Sequence, residues 1–505
     1  MTQQSKEGFL YVKYIRFFPK KREQFPHSGE QFPHSATPSF LVPFFPSEDT
    51  PFGNLLNDAL IRQTLDDHKC RFGETYHAVY TPMLTMWMFL WQLLSDESCD
   101  AAVATAIAYC NELGIKSPGT DTGGYVRARN KIPCGVFADL ARHTARELDN
   151  KAPNDWKPFG RTTWIVDGTT FTLPATEDNL AKFQCHPNQH SDVGMPLPRA
   201  IVLLSMTTGC VLDFTYENYS GKGTGEISML RSRLDVFQPG DLVVMDALYC
   251  SFPTMALLKQ RGVDVIVRMS GSRLVDHRSS ERIDQGDYIM TWKRPAKSQI
   301  PAGYCEDDFP KTMKARVVRY RVKNSENKWE TFQIVTTLLD EEQYPKEEVA
   351  ALYNRRWNGE TDIRTLKGAL SLDQVRCLTP DNVEREVWGT MLGYNLVRRL
   401  AATAASIVDK KPRDIGYQEA LFGRSTDMWN IVAASWMVRS LKGSILPKIM
   451  QRIMLHIAKH RAGHRPGRLE PRVVRKRPKP QAKMKKARAA YHRRVAVTLV
   501  KPEYF

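Results

Sequence analysis

Two short apolar runs that each stop at an aspartate constrain this chain more than any other feature. Thr162-Thr163-Trp164-Ile165-Val166 leads into Asp167 and then Gly168-Thr169, and Asp241-Leu242-Val243-Val244-Met245 leads into Asp246 and then Ala247-Leu248-Tyr249. Each run is too short for a helix, apolar and bounded by turn formers, the pattern of a strand buried on both faces of a sheet. Open α/β sheets place ligand sites beyond the carboxyl ends of such strands. Aspartate is also an ordinary turn residue, so the pair gains meaning only from a third element.

Tyr353 to Lys367 supplies that element. Read as one helix, the segment brings Tyr353, Arg356, Glu360, Arg364 and Lys367 into an arc of about 80°. One carboxylate stands among cations. Leu352, Gly359, Ile363, Leu366 and Leu370 fall on the adjacent stripe, which would pack on a sheet while the charged face looks into a cleft. An isolated solvated helix with i,i+4 ion pairs has the same composition; the two aspartates upstream favour the cleft.

The order Tyr353, Arg356, Glu360, Lys367 resembles the YREK signature of DDE transposases of bacterial insertion sequences, in the insertion-sequence-four family. The resemblance spans roughly residues 55 to 470. It implies that Asp167, Asp246 and Glu360 are the catalytic and metal-binding carboxylates, and that Tyr353, Arg356 and Lys367, with Arg364, hold DNA phosphates near the cleaved end. Three hard oxygen donors suit Mg²⁺ or Mn²⁺, and a pair of ions would serve an in-line displacement at phosphorus. It further implies double-stranded DNA as partner, both as terminal inverted repeats and as target, with a homodimer in the DNA complex.

The elements between the carboxylates support an α/β fold with a ribonuclease-H-like catalytic core. Ala200 to Met206 and Cys210 to Tyr219 flank Thr207-Thr208-Gly209 as a hairpin, Glu226 to Phe237 has helical spacing, and a helix near Phe252 to Gln260 precedes a strand at Val263 to Met269. In that fold the first and fourth strands lie side by side. Some 75 residues then separate Met269 from the charged helix, too many for a loop. Ala315 to Lys323 and Glu330 to Leu339 alternate as strands, so an inserted β subdomain is expected at about 270–345. Trp292 and Trp329 are its candidates for stacking on an extruded DNA base, with ordinary subdomain core as the competing reading.

The remaining organisation is expected to be a flexible arm at 1–54, a helical DNA-binding domain at 55–155, the catalytic core at 156–375, a helical region at 376–458 and a basic tail at 459–505. The arm holds the direct repeat Glu23-Gln24-Phe25-Pro26-His27-Ser28 and Glu30-Gln31-Phe32-Pro33-His34-Ser35. Arg127, Arg129 and Lys131 beside Tyr125 are candidates for reading terminal DNA, or a solvated face. Thr379-Pro380 marks a helix start. No segment reads as a signal peptide or a bilayer span, and nine scattered cysteines without a Cys-x-x-Cys pair fit the cytoplasm. Two rival readings share these features: a structure-specific nuclease of the same fold, and a non-catalytic, domesticated DNA-binding protein.

The formal charge of the chain is +17, and most of it is in the tail, where 16 Lys or Arg face only Glu470 and Glu503. Such a segment binds polyanion through counterion release. Truncation after Arg461 is expected to weaken DNA binding without regard to sequence and to flatten its salt dependence by about 0.9 in the log–log slope for each phosphate no longer neutralised. Affinity titrations at several salt concentrations measure this, and an unchanged slope would assign the tail to another partner.

Overall fold

The structure, a computed structural model, describes residues 57–73, 78–112, 116–185, 194–269, 280–323 and 329–416, with 454, 455, 457 and 458. The repeated arm, the basic tail and most of the expected helical region beyond residue 416 lie outside the described residues.

Among the described residues five helices come first: α1 (Asp58–Asp67), α2 (Pro82–Ser95), α3 (Cys99–Glu112), α4 (Gly123–Asn130) and α5 (Cys134–Lys151). α2 begins where Thr81 accepts a hydrogen bond from the Leu84 amide and Pro82 takes the first helical position. It is apolar on nearly every side and is buried accordingly. Arg129, a candidate for reading DNA, is instead turned onto the rings of Phe89 and Tyr125, with its guanidinium carbon 5.1 and 5.7 Å from their centroids. Tyr125 is itself buried and donates to Gln92 Oε1 at 2.8 Å.

A sheet follows, built from β1 (Thr163–Thr170), β2 (Arg199–Ser205), β3 (Val211–Glu217), β4 (Leu242–Met245) and β5 (Asp264–Arg268), with α6 (Glu177–Lys182), α7 (Glu226–Ser232) and α8 (Phe252–Gln260) between them. The helical spacing from Glu226 to Phe237 is realised only as far as Ser232; a 3₁₀ turn at Leu234–Val236 takes over. β1, β2 and β3 pair antiparallel, whereas β1, β4 and β5 pair parallel. All four residues of β4 are buried, which is why its sequence is uniformly apolar rather than alternating.

The expected insertion does not close into a body of its own. β6 (Glu281–Asp284), β7 (Asp287–Lys293), β8 (Thr312–Lys323) and β9 (Trp329–Thr336) extend the same sheet, giving nine strands among the described residues in the order β3-β2-β1-β4-β5-β9-β8-β7-β6. The join is antiparallel pairing of Ile266 to Arg268 with Ile334 to Thr336, so the edge that β5 would leave open is covered by β9. Arg316 anchors the outer strands: it is fully buried, holds Asp287 through two hydrogen bonds of 2.8 and 2.6 Å, and reaches the Tyr344 carbonyl at 2.7 Å.

The segment expected as one helix from Tyr353 to Lys367 is two, α9 (Lys346–Asn354) and α10 (Trp357–Ala369). At the junction the Arg355 and Arg356 amides donate to the carbonyls of Leu352 and Tyr353, three residues back, at 3.0 Å each. The chain is overwound there, three residues per turn instead of 3.6, which turns Tyr353 away from the phase of Glu360. α11 (Pro380–Ile407) is the last long helix among the described residues, and Ile415, Met454, Ile457 and Ala458 beyond it are still part of the core. Pro380 is its first residue as expected, but the Thr379 hydroxyl accepts from the Asn382 side chain rather than capping a backbone amide.

α11 packs along α5 and α2, and α5 packs on β3, so the amino-terminal helices and the sheet share one apolar core. Asn395 is the polar joint: it is fully buried, its Oδ1 accepts from the Val211 amide at 2.7 Å, and its Nδ2 donates to the carbonyls of Val211 and Ala141 at 2.8 and 2.9 Å. Asn395→Ala strands one buried amide and two buried carbonyls and is expected to cost about 3 kcal/mol. Urea unfolding measures it, and a loss below about 1 kcal/mol would show that the three groups find other partners.

Candidate active site

Register places the two aspartates. Ile165 pairs with Val244 and Val166 with Met245 on the parallel strands β1 and β4, so Asp167 and Asp246 are the next residues on each. They are not equivalent. β1 continues through Asp167, paired with Val202 of β2, whereas β4 stops at Met245 and Asp246 turns its side chain to accept from the Leu248 amide, starting a 3₁₀ turn at Ala247–Tyr249.

Glu360 reaches this edge because of the residue before it. A Cβ on Gly359 would lie 2.9 Å from Ile165 Cγ2 and 3.7 Å from Leu204 Cδ1, so glycine lets α10 lie directly on β1 and β2. Ile363, Leu366 and Leu370 are buried along the same stripe. The three carboxylates are therefore held by the sheet register and by one close helix approach.

Arg356 ties them together. Its Nη1 is 3.3 Å from Asp167 Oδ2 and its Nη2 is 3.6 Å from Glu360 Oε1. The guanidinium also lies 5.1 Å from the Trp357 ring centroid. Burial works against its charge, but Asp167, Tyr353, Asp246 and Glu360 together hold its pKa above the usual value. Burial pushes the Asp167 carboxyl up to about 6; Arg356 and the Gly168 amide pull it down, and Glu360 and Asp246 add to the rise. Tyr353 is only 7 % exposed and burial pushes its hydroxyl up to about 12. It sits behind Arg356 rather than on an open face.

A cleft of about 500 Å³ opens beside this cluster, lined by Asp167, Thr169, Glu360, Arg364, Lys367 and Asp373 among others. Arg364 and Lys367 thus face the same space as two of the carboxylates. Lys367 Nζ is 3.0 Å from Asp373 Oδ1. Asp373 and Thr169 carry no motif in the sequence. Thr169 is two residues along β1 from Asp167, and Asp373 enters because the Thr172 amide donates to its carbonyl at 3.1 Å, which folds the chain after α10 back onto the end of β1.

Of the two tryptophans, Trp292 packs edge-on to Phe252 with ring centroids 6.1 Å apart, while Trp329 is 59 % exposed at the start of β9. A different aromatic column stands beside the Tyr353 helix. Tyr320 and Phe332 are register partners, stack at 5.7 Å, and carry the Arg268 guanidinium 4.4 Å from the Phe332 centroid; the Tyr320 hydroxyl donates to Asn354 Oδ1 at 3.3 Å. The alternation of β8 and β9 was the signal for that pair.

Among the described residues no three Asp, Glu, His or Cys side chains are drawn together as a metal cage. Arg356 lies between two of the carboxylates instead. The donor set is of the kind a hard divalent cation takes, carboxylate oxygens only, and such an ion would offset the charge by which Glu360 and Asp246 add to the burial-driven rise of the Asp167 pKa.

A cluster of carboxylates at the ends of parallel strands, with arginine and lysine facing the same cleft, is equipped for chemistry on a phosphate backbone. Residues 158–396 match the family described as transposase DDE domain. The chain is a DNA transposase of the DDE class, an enzyme that cleaves and transfers DNA strands. Over 320 residues it is 21 % identical to the transposase InsG for insertion sequence element IS4 of Escherichia coli (strain K12), an alignment that covers 61 % of this chain and 69 % of that protein. Among solved structures, it is similar to the piggyBac transposase synaptic complex with hairpin DNA at a TM-score of 0.38 and 9 % identity, over 83 % of this chain and 84 % of that one.

The raised Asp167 pKa has a consequence for stability. The folded carboxyl titrates near 6 and the unfolded one near 3.8, so between those values the folded state holds more protons and stability falls as pH rises; above 6 the full penalty is present. Asp167→Asn removes it. In metal-free buffer the variant is expected to be more stable than the parent at pH 7.5, by at most about 3 kcal/mol, with the gap closing toward pH 4.5. Thermal melts at the two pH values decide; a variant that is less stable at pH 7.5 would mean that the Arg356 pairing outweighs burial.

Proposed function

We propose that the chain moves an insertion sequence by cut-and-paste transposition, with Asp167, Asp246 and Glu360 as the ligands of Mg²⁺ or Mn²⁺ and residues 156–375 as a ribonuclease-H-like core. The observation that carries this reading is the bridging of Asp167 and Glu360 by Arg356 beside a cleft that also presents Arg364 and Lys367. Bound ions would supply Lewis-acid activation of the attacking oxygen and stabilisation of the leaving one.

The chain's own residues do the rest. Arg364 and Lys367 neutralise phosphate in the cleft, and Arg356, released from its carboxylates, offers a planar fork of donors to a phosphate near the reacting bond. Tyr353 acts through Arg356, since it is buried behind it. Water cuts the transposon end, and the new 3′-hydroxyl then attacks the target in the same site. Terminal inverted repeats and target DNA are the double-stranded substrates, held by a homodimer. Exposed Trp329 is the better placed of the two tryptophans for a base, since Trp292 is committed to Phe252. No helix among the described residues is long and apolar enough to cross a membrane.

Asp167→Ala, Asp246→Ala and Glu360→Ala are each expected to reduce Mg²⁺-dependent cleavage of transposon-end DNA by at least about a thousandfold, since losing any one ligand opens the shared site, while DNA affinity changes little. Cleavage near the parental rate in any folded variant would remove that residue from the site.

A further inference from the structure

Glu226 opens α7, and no sequence pattern points to it. Its carboxylate lies against Gly168, the residue after Asp167: a Cβ there would come within 2.4 Å of Glu226 Cδ and Oε2 and 2.6 Å of Oε1. Only glycine leaves room for the carboxylate at this point of β1. The same Oε2 accepts a hydrogen bond from the Tyr249 hydroxyl at 3.0 Å.

Tyr249 belongs to the other aspartate. It closes the 3₁₀ turn that the Asp246 side chain begins, and it is 1 % exposed. Burial, then Glu226, then Asp167 and Asp246 raise its pKa well above the usual value, so the phenol remains a neutral donor. Glu226 therefore touches the chain one residue beyond Asp167 and, through Tyr249, three residues beyond Asp246. β1 and β4 are backbone-paired only up to Val166 and Met245. Beyond that register β1 is still held by β2, but the β1–β4 pairing has ended, and the link through Glu226 and Tyr249 spans the gap between the two carboxylates.

We propose that Glu226 and Tyr249 are positioning residues of the metal site, a hydrogen-bonded strut that fixes Asp167 relative to Asp246, with Gly168 as the space that admits it. The proposal rests on Asp167 and Asp246 being metal ligands. Glu226 acts through its acceptor oxygen and through packing, so glutamine, which keeps a carbonyl oxygen for Tyr249, substitutes for it in part, and alanine does not. Partners that orient metal ligands in this way typically matter about 10- to 100-fold in metal affinity.

The test uses the full chain and Mn²⁺ as probe. Free Mn²⁺ is followed by electron paramagnetic resonance as protein is titrated without DNA, and the Mn²⁺ needed for half-maximal end cleavage is measured on the same preparations. Asp167→Ala comes first: undiminished Mn²⁺ binding in that variant defeats the ligand assignment itself. Given weakened binding there, Glu226→Ala, Tyr249→Phe and Gly168→Ala are expected to weaken Mn²⁺ binding about tenfold, with end-DNA affinity unchanged. The Glu226→Ala/Tyr249→Phe double variant should lose no more than either single one, and Glu226→Gln should recover most of the loss. Glu226→Gln as damaging as Glu226→Ala would make the charge itself a ligand and overturn the positioning role. Parental Mn²⁺ binding in Tyr249→Phe, which keeps the ring and so the fold, would overturn it as well.

Discussion

Carboxylates gathered in a half-buried place repel one another, and the site depends on one guanidinium that offsets them. Arg356 reaches Asp167 and Glu360 at once, from a turn that is overwound so that it points toward the sheet edge. A cation held there by carboxylates is a cation that a divalent ion and a phosphate can replace without creating an uncompensated buried charge. The junction between α9 and α10 is thus where folding energetics and chemistry meet: a regular helix would have kept Tyr353 and Glu360 in phase and moved Arg356 along the face.

The scaffold for this arrangement reaches well beyond the strands that carry the aspartates. α5 and α11 cover β3 together, joined to it by Asn395, and the outer strands β6 to β9 close the edge of β5. Rigid backing of that kind suits an enzyme whose reacting groups must hold their spacing while a charged duplex is brought against them. Close backbone approaches do the finest adjustment. Gly359 sets how near α10 lies to β1, and Gly168 sets how near Glu226 lies to Asp167.

Much of the fold was legible in local pattern. The largely apolar runs before Asp167 and Asp246 became adjacent parallel strands, because burial on both faces removes the alternation that a solvated strand needs. The apolar stripe of Ile363, Leu366 and Leu370 became the buried side of α10. The tightened turn at Arg355 and Arg356 was not legible, since no proline or glycine marks it. Nor was the continuity of the insertion with the main sheet, because alternation in β8 and β9 defines strands without naming their partners. Asp373 and Glu226 come to the site through contacts across long separations, which no local period records.

The sequence by itself determined the chemical inventory: an aspartate after each of two buried runs, a glutamate among cations at helical spacing, and a basic tail. Those follow from composition and period, which are local properties. The tertiary structure decided which side chains share one space. It put Arg356 between Asp167 and Glu360, turned Arg129 inward onto aromatic rings, and set Trp292 against Phe252 while leaving Trp329 exposed. The physical reason is that charge, burial and distance act between residues brought together by strand register and helix packing, and these are settled only when the whole apolar core closes.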